Sequence, residues 1–178
     1  MDSTTLTERV VQHIRAAACS LGIAEPRFGG FADVNAVQYQ VGINTLYLNE
    51  GVAAALSDEE LCAVISNIVG MARFRSYNIL LGHVKSGLNL GLLALGVLML
   101  FGKVSGTGFL LYFAFFACWV VATRLAYRPF LLRYADRFSV RFMGSGKALA
   151  NGLLKIAARN GNADAVSRHP RMLRLLSM

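Results

Sequence analysis

Two apolar runs, "GLNLGLLALGVLMLF" (87–101) and "GFLLYFAFFACWVVA" (108–122), constrain this chain more than any other feature. Each falls short of the ~20 residues that cover a bilayer core. Their flanks extend them to 83–102 and 107–127, leaving only "KVSG" between. Such a pair predicts a two-helix transmembrane hairpin. The alternative is a buried helical hairpin in a soluble core. Composition favours the membrane, because 55% of the residues are hydrophobic and only 16% are charged, and a soluble domain normally carries more charge.

Charge gives the hairpin a direction. Arg73, Arg75 and Lys85 precede the first apolar run, Arg124, Arg128, Arg133, Arg137 and Arg141 follow the second, and the turn holds Lys103 alone. Basic residues stay on the cytoplasmic side, so both termini are expected inside, as in an integral protein of a bacterial inner membrane. Residues 1–60 carry −5 and residues 61–178 carry +13, which together give the net +8. A basic region beside apolar segments points to anionic lipid. No aromatic-interleaved basic motif points to nucleic acid. Gly87 and Gly91 form a GxxxG that would let helices approach closely.

The flanking segments predict a smaller folded part. Residues 4–22 place Val10, Val11, Ile14, Ala17, Ala18 and Leu21 on one helical face. Residues 22–49 alternate and carry glycine punctuation, which predicts two or three short strands. Ser57 and Glu60 form a capping box, so a helix is expected from there through Arg75. Leu61, Val64, Ile65, Ile68, Val69 and Ala72 make its apolar stripe. A further helix is expected over 129–143, broken by Gly144 and Gly146, then an amphipathic one over 147–159, then a polar loop and a short helix. The predicted fold is mainly α with a small β-sheet, an α+β domain interrupted by the hairpin. Its parts are residues 1–82, 83–127 and 128–178.

Few residues offer chemistry on their own. Cys19, Cys62 and Cys118 form no CxxC pair and are expected as buried free thiols. "MDSTTLTERVVQHIR" is polar and acidic, unlike a secretory signal. Glu59 and Glu60 suit the electropositive N-terminus of a helix better than a catalytic pair. Ser145-Gly146-Lys147 lacks the rest of a phosphate loop. Arg133, Arg137 and Arg141 recur every four residues. They fit either a solvated face or a stripe against anionic headgroups, worth ~1 kcal/mol each.

The order of the pieces carries a resemblance. "EPRFGGFADVNAV", "LYLNEGVAAALSDEELCAVISNIVG", the hairpin, "LLRYADRFSVRFMGSGKALANGLLKIA" and "SRHPRMLRLLSM" together resemble the HtpX-like membrane zinc metallopeptidases over residues 20–178. The resemblance implies a zincin-like cytoplasmic domain with Zn²⁺ held by two histidines on one helix and a glutamate on a later one. A glutamate after the first histidine would activate the bound water. Those roles fall on Asn67 and Met71 for the histidines, Ile68 for the base and Leu132 for the third ligand. Asp136 alone keeps its type, as a residue that orients the site. Leu132 is expected to face the stripe of residues 61–72. His13, His83 and His169 lie far apart in sequence. A degenerate site without cofactor is therefore expected, in a pseudopeptidase that binds a membrane-protein partner or another copy of itself. Zinc would enter only in the alternative, an active membrane metallopeptidase with a noncanonical site. A weaker alternative is a small membrane structural or immunity-type protein.

Overall fold

The computed structural model describes residues 3–178. It divides into two compact units, one of residues up to Arg75 with Leu132–Met178, the other of Ser76–Leu131.

In the first unit, α1 (Ser3–Leu21) buries Leu6, Val10, Ile14, Ala17 and Ala18, a stripe at three- and four-residue spacing. Three strands follow: β1 (Arg27–Phe31), β2 (Val37–Gln40) and β3 (Thr45–Leu48). Their order in the sheet is β1-β3-β2, with β1 parallel and β2 antiparallel to β3. Register slips by one residue between Phe28 and Gly30, where Gly30 has φ +100°. That backbone is open to glycine and strained for other residues. Asn49 caps α2 (Glu50–Ala55) by accepting from the Val52 N–H at 3.2 Å. This short helix has no periodicity that the sequence could reveal.

Helix α3 (Asp58–Ala72) is the centre of the unit, and packs against α1 and α7 (Lys147–Arg159). Its capping box is complete. The Ser57 hydroxyl accepts from the Glu60 N–H at 3.3 Å, and the Glu60 carboxylate accepts from the Ser57 N–H at 2.8 Å. The same Glu60 oxygen accepts from Lys155 of α7 at 2.7 Å. Burial alone would raise the Glu60 pKa, but the Lys155 and Ser57 contacts outweigh it and hold the carboxyl below its usual range. The helix is buried on nearly every side, rather than along the expected stripe, because elements cover it all round. It also ends at Ala72 instead of running through Arg75. A turn at 73–74 intervenes, and the Phe74 ring meets Tyr134 edge-on at 4.9 Å.

Helix α4 (Arg75–Leu100) and α5 (Gly106–Ala122) contain the two apolar runs. A π-helical turn (Thr123–Tyr127) joins α5 to α6 (Arg128–Met143) without a break. The Arg128 N–H bonds to the Thr123 carbonyl, five residues back. Pro129 lacks an N–H and would clash with a carbonyl four residues earlier, so a widened turn there relieves the helix. Both α4 and the continuous helix Gly106–Met143 are long and apolar enough to cross a membrane, and none of their spanning windows is buried in the protein. Between α4 and α5, the Tyr112 hydroxyl donates to the Leu88 carbonyl at 2.9 Å and its ring closes on Gly91. Gly87 has open space beside it, so the GxxxG is not a paired interface within this unit.

Gly144, with φ +74°, ends α6 as expected. The closing segment forms two short helices, α8 (Ala163–Ser167) and α9 (Pro170–Leu176). Of the cysteines expected to be buried, Cys19 and Cys118 are exposed. Cys62 is partly buried, and that burial pushes its thiol pKa up.

Candidate functional site

Two of the positions singled out by the resemblance, Asn67 and Asp136, meet where α3, α6 and α9 come together. Close approach begins at Gly70. A Cβ there would stand 3.1 Å from the Phe138 ring and 3.2 Å from the Ala135 Cα, so α6 passes tightly over this turn of α3. One turn earlier on α3 the helices are joined by hydroxyls. Ser139 donates to the Ala63 carbonyl at 2.8 Å. The Ser66 hydroxyl, 2.9 Å from both Ser139 Oγ and the Ala63 carbonyl, donates to one of them. Each polar atom in this pair of contacts is buried and partnered, as a low-dielectric interior requires.

Asp136 lies beside this contact and is fully buried. Its Oδ1 accepts from the Asn67 amide at 3.0 Å. Arg171 of α9 approaches in a fork, with Nη2 2.6 Å from Oδ1 and Nε 3.1 Å from both oxygens. Arg174, one turn on, places Nη2 2.6 Å from Oδ2. The carboxylate is 1% exposed, and its arginines are 24% and 38% exposed. One buried anion thus holds two cations that reach outward. One guanidinium fork and a second guanidinium contact supply the charge and hydrogen bonds with which a buried carboxylate is tolerated. Both arginines reach Asp136 because α9 starts at a fixed place: Pro170 is its first residue, and the His169 ring Nδ1 accepts from the Arg171 N–H at 3.1 Å.

The remaining expected positions divide. Ile68 is buried and Met71 is partly buried against the core. Leu132 is 37% exposed, contrary to the expectation that it would face the stripe of α3. The first buried residue of α6 is Ala135, so the helix has not yet reached the core at Leu132. Arg133, Arg137 and Arg141 are exposed, and their side chains make no hydrogen bond or ion pair among the described residues. Of the histidines, His13 contacts Asp58 at 3.1 Å, His169 caps α9 and His83 lies on α4.

These groups do not fit zinc. A Zn²⁺ site needs three convergent nitrogen, sulfur or carboxylate ligands. Here the Asn67 amide is committed to Asp136, Ile68 and Leu132 carry no donor atom, and both Asp136 oxygens are occupied by guanidinium groups. No three His, Cys, Asp or Glu side chains gather elsewhere among the described residues. What the arrangement can do is fasten: it ties α9 to the α3–α6 contact through one carboxylate. The sequence reading missed Arg171 and Arg174. Their three-residue spacing places both on one face of a helix begun by His-Pro, but nothing local points them to Asp136, 35 and 38 residues earlier.

Compared with family models, curated proteins and solved structures, the chain matches none.

Proposed function

We propose that this chain is a membrane-spanning pseudopeptidase of HtpX-like type that acts by binding a protein partner at the membrane and hydrolyses nothing. The observation that carries the reading is the replacement of metal-site chemistry by an internal ion cluster. Where the resemblance calls for ligands around a dication, Asp136 is saturated by Arg171, Arg174 and Asn67. A cation entering there would have to displace two guanidinium groups and leave them without their counter-charge. Ile68, at the place of the catalytic glutamate, is 8% exposed and holds no proton to move.

Binding is the function left to such a scaffold. The unpaired Arg133, Arg137 and Arg141 follow directly on the second long apolar helix and suit an acidic partner segment or anionic lipid. The arginine distribution around the hairpin supports two spans with both termini in the cytoplasm of a bacterial inner membrane. Site-specific photocrosslinking from position 137 in native membranes tests the reading. A discrete crosslinked protein, lost when Arg133 and Arg141 become Glu, is expected. Cleavage of a general unfolded substrate by the purified chain, abolished by chelation, would contradict it.

A further inference from the structure

We propose that an open hollow between α4 and the α5–π turn segment binds an anionic phospholipid, its acyl chain seated in the hollow. This rests on the membrane-spanning part of the proposed function.

The hollow is walled by Leu81, Trp119, Ala122, Thr123, Ala126, Tyr127 and Phe130. Its two hydroxyls are already committed. The Thr123 hydroxyl is 3.0 Å from both the Trp119 and Val120 carbonyls, and the Tyr127 hydroxyl lies 3.0 Å from the Asn78 side-chain oxygen, to which it donates. Beyond the Trp119 indole N–H, a polar ligand would find no partner in the wall, whereas a hydrocarbon chain loses nothing there. The widened turn at Thr123–Tyr127 contributes three of the wall positions, so the hollow belongs to the same irregularity that Pro129 imposes.

Charge selects the headgroup. Residues 76–131 contain Lys85, Lys103, Arg124 and Arg128 and no aspartate or glutamate. Lys85 stands one turn from Leu81 on the same face of α4. Arg124 and Arg128 adjoin the wall residues Thr123 and Tyr127, and all three are exposed. This unit holds no carboxylate to neutralise them. A phospholipid of net negative charge offers a hydrocarbon chain and an anion in one molecule, and a zwitterionic lipid offers only the chain. A second copy docking through this same face would bring like charges together.

Trp119 is the only tryptophan in the chain, and it lies in the wall, so its emission reports occupancy directly. The full chain is reconstituted in vesicles of equal parts phosphatidylcholine and phosphatidylglycerol, with acyl-chain bromine on one lipid or the other. Bromine on phosphatidylglycerol should quench Trp119 more, corresponding to a preference of about five-fold, the value of a single basic contact near the surface. The preference should shrink as salt rises. It should vanish in the Lys85→Gln, Arg124→Gln, Arg128→Gln variant while quenching itself persists. Equal quenching by the two lipids in the unaltered chain, or a preference that survives in the variant, would overturn the proposal and leave the membrane reading intact. No quenching by either lipid would remove both.

Discussion

Replacing Arg171 by alanine probes the ion cluster at its strongest point. The substitution removes a guanidinium that makes three of the five polar contacts to Asp136. The carboxylate, 1% exposed, would keep only Asn67 and Arg174. Breaking a fully buried pair costs about 3–5 kcal/mol. The lower end applies here, because Arg174 remains and Arg171 is itself 24% exposed, so water can enter the space it leaves. A loss of about 3 kcal/mol lowers Tm by something on the order of 10 °C for a folded unit of this size. Thermal and urea melts of the detergent-solubilised chain, followed by circular dichroism, read this directly. Asp136→Asn combined with Arg171→Met should cost less than the two single losses added, since no buried charge is then left unpaired and only Arg174, 38% exposed, loses its counter-charge to water. A melt of Arg171→Ala within about 0.5 kcal/mol of the parent, the range of an ordinary surface substitution, would refute the reasoning.

Three further outcomes are expected. Ile68→Glu should destabilise by several kcal/mol, because it buries a carboxylate that has neither metal nor solvent beside it; a neutral melt would mean an open cleft. Asp58, drawn down first by its hydrogen bond from Arg9, and Glu60, lifted by burial but drawn further down by Lys155 and Ser57, both have folded-state pKa values below their usual ones. Their stabilisation is complete above the unfolded carboxylate pKa and disappears as pH falls through the lowered values, so acid melts should steepen in that window, and Glu60→Gln should flatten the profile. In right-side-out cells, a cysteine placed at Ser105 should react with an impermeant thiol reagent and one at Ser177 should not; labelling of Ser177 from outside would reverse the topology.

Local signals in the sequence were sufficient for the local elements. The apolar runs marked α4 and α5, Ser57 with Glu60 marked the start of α3, and Gly144 marked the end of α6, because each depends on residues within a few positions. The ends that tertiary packing decides were not legible. No glycine or proline stands between Ala72 and Arg75, so the turn there carried no punctuation, and six-residue α2 was too short to show a period. At the candidate site, Asn67 and Asp136 meet across 69 residues, and the family pattern was what aligned them. Arg171 and Arg174 pair with Asp136 from 35 and 38 residues further on, a tertiary relation that no periodicity encodes. The misplacement of Leu132 has the same origin, since where α6 first touches the core, at Ala135, is decided by packing against distant residues and not by a local pattern.

The central claim is that a salt-bridged aspartate stands in the place of a metal centre, and metal content tests it most directly. The full chain is purified in mild detergent without added metal, and zinc per chain is measured before and after dialysis against a small excess of Zn²⁺. Far less than one zinc per chain is expected in both samples, with an unchanged melt, because Asp136 is already held by Arg171 and Arg174. One tightly held zinc per chain that raises Tm, and is lost on substituting Asp136 or Asn67, would contradict the account.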